Sequence, residues 1–207
     1  MRRYIYFLIV FISILSRCSF AQSSEAVRWH VAAGVAFPAG PDQFYYYWKQ
    51  GFQVMGGAEF PTQMRFIQFI SAELNYFAFD QQRFLKRIGI ENSNTSISGA
   101  ATYVLSLEYL IRYPFTEYQS FRPTFFVGLG CSDIFRSSAT IEYPNYSVTQ
   151  GSNNSIVATV PFGASVIVHE SGNKTVEVTF TYIIGLSQKQ NINSNFTSAK
   201  IDYLFSQ

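Results

Sequence analysis

From Ile97 to Tyr113 the chain changes character at nearly every residue. Ile97, Ala101, Tyr103, Leu105, Leu107, Tyr109, Ile111 and Tyr113 fall on one side, and Ser98, Ala100, Thr102, Val104, Ser106, Glu108 and Arg112 on the other. A period of two belongs to a β-strand, since a helix would scatter each set around its circumference. The run is long for a strand of a soluble sheet. The same alternation returns before it. Trp29, Val31, Val35 and Phe37 oppose Arg28, His30, Ala32, Gly34 and Ala36. Phe52, Val54, Ala58 and Phe60 oppose Gln53, Met55, Gly57 and Glu59, and Ala72, Leu74 and Tyr76 oppose Ser71, Glu73 and Asn75. It returns again after it, with apolar sets at Phe125–Cys131, Ile156–Val168, Val176–Leu186 and Ala199–Phe205. About eight strands result, and no segment carries convincing helical periodicity. Between Arg65 and Phe69 the phase blurs, as a bulge or a late strand start would make it.

The two faces differ in size as well as polarity. The smaller face is Gly, Ala, Ser and Thr with scattered charges, which suits the narrow interior of an eight-strand barrel. The bulky face carries Tyr, Trp and Phe towards its ends, including Trp29, Tyr76, Tyr103, Tyr109, Tyr113, Tyr182 and Tyr203. A water-facing surface would carry many Lys and Glu. Here charged residues make up 14% of the chain, against about 25% in ordinary soluble domains. The bulky face therefore reads as the outside, in contact with lipid, and the aromatic ends as interfacial belts. The expected fold is all-β: an eight-stranded antiparallel up-and-down transmembrane β-barrel.

The connections support that layout. Pro61–Met64, Pro114–Pro123 and His169–Lys174 are short. Pro38–Gln50, Asp80–Ser96 and Arg136–Asn154 are longer and rich in Asn, Ser, Gln and Tyr, with a fourth, shorter one near Ser187–Asn195. In an up-and-down barrel alternate connections share a rim, so one rim carries turns and the other carries loops.

The amino terminus reads as an export signal. Met1-Arg2-Arg3 is a basic start, Tyr4–Leu15 is apolar apart from Ser13, and Ser19-Phe20-Ala21 offers small residues for cleavage before Gln22. The domain reading is thus a signal peptide over 1–21 and a barrel over 22–207. Cleavage removes Arg2, Arg3 and Arg17, taking the 15 basic residues to 12 against 13 acidic ones. That balance argues against nucleic acid as a partner. Cys131 remains as the single cysteine, so no internal disulfide is expected.

Three segments carry a resemblance. Gly34-Val35-Ala36-Phe37-Pro38 closes the first strand. Leu107-Glu108-Tyr109-Leu110-Ile111-Arg112-Tyr113-Pro114 closes the fourth, and Arg122-Pro123-Thr124-Phe125-Phe126-Val127-Gly128-Leu129-Gly130 opens the fifth. With the export signal, these resemble the small bacterial outer-membrane β-barrel families of the outer-membrane-protein-A transmembrane-domain type. The resemblance implies residence in the cell outer membrane, assembly by the barrel-assembly machinery, and outer-membrane lipids and lipopolysaccharide as surroundings. One departure is that Phe205 is followed by Ser206 and Gln207, whereas these barrels usually end on an aromatic residue. With no peptidoglycan-binding domain after the barrel, a wall-anchoring role is not expected.

The polar residues offer little chemistry. Only His30 and His169 are available, and His169, Glu170 and Ser171 are chain neighbours that rarely converge on one point. Two distant histidines and one cysteine lack metal-ligand spacing. No catalytic, cofactor or metal site is expected. The informative set is Glu59, Glu73, Glu108, Arg112, Glu177, Lys200 and Asp202, all on the smaller face beside Arg28 and His30. Charges in a narrow interior must pair, so they read as a structural network plugging the lumen, with a selectivity ring as the other reading. The expected role is non-enzymatic: structural, or surface interaction through long extracellular loops whose partner the sequence does not name. The alternatives are a narrow porin-like pore for small or hydrophobic solutes, a lipid A-modifying hydrolase, and a soluble secreted barrel that binds a ligand.

Overall fold

The computed structural model describes residues 27–40, 42–62, 65–90, 94–115, 122–186 and 195–206. The segment 1–21, read from the sequence as an export signal, lies outside these residues. Eight long strands close into an antiparallel barrel: β1 (Arg28–Gly40), β2 (Gly51–Pro61), β3 (Ile67–Phe77), β5 (Thr102–Pro114), β6 (Pro123–Arg136), β9 (Asn153–Ser171), β10 (Lys174–Leu186) and β11 (Asn195–Ser206). Each pairs with the next in chain order, and β1 closes the barrel by pairing with β11 from Arg28↔Ser206 to Gly40↔Asn195. Closure leaves no strand edge unpaired, the condition for crossing a membrane with strands.

The faces are those of a membrane barrel. Leu129 is 67% exposed, Ile201 63% and Phe180 59%, all pointing outward, while Glu73 and Thr102 are fully enclosed. The outward face is bounded by rings at both ends. At the loop end Phe52, Tyr76, Tyr103 and Phe135 form a row across four strands, with centroid spacings of 5.1, 5.2 and 6.2 Å. At the turn end Tyr113, Phe115 and Phe125 follow one another at 5.1 and 5.4 Å, and Tyr203 lies 5.9 Å from Phe205. Tyr103 and Tyr113 stand on the same strand, ten residues or about 33 Å apart along it. At a strand tilt of about 40° this is an axial height of about 25 Å, the height of a membrane barrel's apolar band. The inverted faces exclude the soluble alternative.

Three details differ from the sequence reading. The run from Ile97 to Tyr113 is not one strand. Gly99 and Ala100 adopt positive φ (80° and 59°), which breaks it into β4 (Ser96–Gly99) and β5. Strand β4 leaves the barrel and joins β7 (Ala139–Glu142) and β8 (Ser147–Gln150) in a small sheet at the loop end. The break was invisible because Gly-Ala-Ala preserves the parity of the alternation. Two short helices also occur, α1 (Asp42–Tyr47) and α2 (Gln81–Arg87). Both are too short for a helical period to declare itself. Asp80 caps α2, its Oδ1 accepting from the Arg83 amide at 3.1 Å.

The blurred phase at Arg65–Phe69 also has a cause. Strand β3 pairs without a register shift from Ile67, and Phe69 points inward, 4% exposed. It displaces the small residue that the pattern leads one to expect. Gly57 makes the room: a Cβ there would stand 2.7 Å from the Phe69 ring.

Candidate functional site

The lumen falls into three zones. In the turn-side half, six strands each contribute one polar side chain to a single cluster. His30 (β1) sits between two carboxylates, with Nε2 2.8 Å from Glu59 Oε2 (β2) and Nδ1 3.1 Å from Asp202 Oδ2 (β11). Arg112 (β5) donates from Nη1 to Glu59 Oε2 at 2.7 Å, and from Nη2 to Ser165 Oγ (β9) at 3.0 Å and to Glu177 Oε2 (β10). Phe69 forms the floor: its ring lies 4.5 Å from the His30 ring and 5.6 Å from the Arg112 guanidinium carbon. Every member is at least nine-tenths buried.

A second cluster lies nearer the middle. Lys200 Nζ (β11) donates to Glu73 Oε2 (β3) at 3.1 Å, and Asn75 Nδ2 donates to Glu73 Oε1 at 2.7 Å. Glu108 Oε1 (β5) shares this zone without a hydrogen-bond partner among the described residues. The Ser106 and Ser132 hydroxyls bond to each other at 2.7 Å.

The loop-side half is dominated by an apolar cluster, with the Thr102, Thr181 and Ser198 hydroxyls buried beside it. Ala36, Phe44, Phe77, Val104, Ile134, Val157, Ile183 and Phe196 pack as one cluster, with Trp48 against it. Phe44 comes from α1, so a loop element reaches back into the mouth. Its ring stands 5.1 Å from Phe77 and 5.5 Å from Trp48, and Phe77 stands 5.5 Å from Phe196. An isolated bridge between Trp48 and Phe79 ties the two loops together above this layer.

All seven sequence-selected charges line the lumen, divided between the two clusters. Glu59, Arg112, Glu177 and Asp202 meet in the first, and Glu73, Glu108 and Lys200 occupy the second. Sequence reasoning placed His30 on this face but missed that it joins two of the carboxylates. It also missed Ser165, Asn75 and the aromatic cap. The signal for the cap was the run Phe44-Tyr45-Tyr46-Tyr47-Trp48, too apolar for a free polar loop.

The geometry limits what the lumen can do. Both His30 ring nitrogens face carboxylates, so neither is left for a serine. His169, on β9 opposite Val176, is exposed, and Glu170 is held by Arg122 at 3.0 Å. His169, Glu170 and Ser171 make no hydrogen bond with one another. Among the described residues no group of three or more His, Cys, Asp or Glu could hold a metal ion.

Outside, two shallow apolar grooves of about 530 and 630 Å³ lie on the bulky face, one over Ala164 and Ala199, the other over Ala33, Gly56 and Ala72. An outward apolar band, two ring belts and a closed polar-lined sheet are now all in place. The fold is an outer-membrane β-barrel. Its place in the cell outer membrane follows from that inverted architecture.

No family profile and no curated protein sequence matches the chain. Solved structures do. A major outer-membrane protein from Thermus thermophilus superposes with a TM-score of 0.54 at 10% identity, covering 87% of this chain and 99% of that one. Neisserial surface protein A gives 0.46 at 14% identity, over 87% and 96%. The outer-membrane enzyme PagL gives 0.44 at 16% identity, over 87% and 99%. The resemblance to small outer-membrane barrels drawn from the sequence holds at the level of the fold.

Proposed function

We propose that the protein is a closed, non-enzymatic barrel whose work is structural or lies in surface interaction at its loop end. The observation that carries this is the apolar layer of Phe44, Phe77, Ile183 and Phe196 above the paired charges. Water and ions crossing the barrel would have to pass both. The seven interior charges then act as a plug rather than a selectivity ring. Against a lipid A hydrolase stand the occupancy of both His30 nitrogens and the lack of a hydrogen bond from His169 to any described serine. Delivery by a signal peptide and insertion by the barrel-assembly machinery belong to the same reading.

Planar-bilayer recording of the refolded protein tests it. The expected trace has no steady conductance. A stable, ohmic conductance in the unmodified protein would establish the pore instead.

A further inference from the structure

We infer that the middle of the lumen binds a single monovalent alkali cation, sodium or potassium, between Glu108 and Thr159. The inference rests on the closed-barrel reading above. Glu108 (β5) and Thr159 (β9) each pair directly with Gly130 (β6), so the three stand in one row across three strands. Glu108 and Thr159 are both more than nine-tenths buried. Glu108 Oε1 and Thr159 Oγ1 have no hydrogen-bond partner among the described residues. Gly130 leaves room between them: a Cβ there would stand 2.8 Å from Thr159 Oγ1 and 3.2 Å from Glu108 Cγ. Asn75 Oδ1, tied to the same zone by the bond from Asn75 Nδ2 to Glu73, is a third oxygen without a partner.

The charges decide what fills this space. Glu73 is matched by Lys200 at 3.1 Å, and no other ion pair forms in this zone among the described residues. Two carboxylates therefore face one ammonium, and the charge of Glu108 is left over. The turn-side cluster has no cation to spare, since Glu59, Glu177 and Asp202 outnumber Arg112 and His30. Water can donate to each unpartnered oxygen, but it leaves the buried charge uncompensated, which a low-dielectric interior penalises. A bare alkali cation meets both needs. It is smaller than the methyl group that Gly130 omits, and it takes neutral oxygens as ligands in place of its hydration shell. A divalent metal is a poorer match, because no group of three or more His, Cys, Asp or Glu converges among the described residues.

The test refolds the mature protein from urea into phosphatidylcholine vesicles, with sodium or potassium chloride replacing N-methylglucamine chloride at constant ionic strength. N-methylglucamine is too large for the space beside Gly130. Reversible urea unfolding is then measured at each composition. Once the alkali cation exceeds its dissociation constant, each tenfold rise in its concentration should raise the folding equilibrium constant about tenfold. Glu108→Gln should abolish this dependence, and Thr159→Val should shift it to higher concentration. Glu170→Gln, at the exposed turn rim, should keep it unchanged. The heat-dependent gel shift of each variant reports folding, and Thr159→Val decides if Glu108→Gln does not fold. Equal stability of the unmodified protein in all three salts overturns the proposal and leaves a proton or water at Glu108. So does a cation dependence that a folded Glu108→Gln or Thr159→Val variant retains in full, since the ion then binds elsewhere. Failure of the closed-barrel reading shows separately, as conductance.

Discussion

Arg112 is the point at which the lumen can be broken most cleanly. Among the described residues its guanidinium is the only cationic nitrogen source, apart from His30, bonded to Glu59, and the only one bonded to Glu177. An Arg112→Leu change removes the guanidinium and its contact with Phe69, and leaves Glu177 buried without its ion pair and Glu59 with His30 alone. Glu59 is 2% exposed and Glu177 4%, so water cannot substitute. Removing one partner of a buried pair costs about 3–5 kcal/mol. Reversible urea unfolding in lipid vesicles measures this, followed by tryptophan fluorescence. The two tryptophans suit the purpose, with Trp29 on the turn-side outer face and Trp48 on the cap. The companion variant Arg112→Leu/Glu59→Gln/Glu177→Gln removes the stranded charges and should recover most of the loss. A loss under about 1 kcal/mol for Arg112→Leu alone is the figure for solvated surface pairs. That result would refute a sealed lumen and favour a wet, ring-like interior.

Four further outcomes can be measured. Leu105→Arg should cost about 2–4 kcal/mol, as a charge near the midplane of a lipid face does. On a Cys131→Ser background, a lipid-quenched fluorophore should be quenched strongly at residue 105 and weakly at residue 106; equal quenching at both would contradict the assigned faces. Phe44→Ala removes the loop-borne ring from the cap, so bilayer recording should show a conductance absent from the unmodified protein; a silent trace would place the seal deeper, at the charge clusters. Mass spectrometry of membrane-embedded protein should find Gln22 at the amino terminus, and an intact Met1 would rule out the export signal.

The strand faces were legible because alternation survives without knowledge of partners. Leu105 and Ser106 need only their own neighbours to be assigned opposite sides. The pairings in the lumen were not, because they join residues far apart in sequence. His30 meets Asp202 across 172 positions and Lys200 meets Glu73 across 127. Only barrel closure and strand stagger decide that Arg112 reaches Glu59 and Glu177 rather than Glu108. The cap was hidden for another reason. Phe44 and Trp48 sit in a loop, where periodicity says nothing, and a six-residue helix leaves no repeat. Gly99–Ala100 was hidden because positive φ at a small residue changes the path of the chain without changing the hydrophobic pattern.

On the closed-barrel reading proposed above, the interior charges still have a physical use. The outside must be apolar throughout, so an equally apolar inside would leave the two faces of every strand interchangeable. A slip of one residue in pairing turns each side chain to the other face. In β11 such a slip would drive Lys200 and Asp202 into lipid and bring Ile201 and Tyr203 inward. In β5 it would expel Glu108 and Arg112 together. A single Arg or Lys near the bilayer midplane costs about 2–4 kcal/mol, and the slipped strand would also desert its buried partners, at about 3–5 kcal/mol for each pair broken. These penalties are comparable to the whole stability of a small domain. The network therefore selects one register among those the alternation alone would permit, and it does so on six of the eight barrel strands, through His30, Glu59, Glu73, Arg112, Glu177 and Lys200.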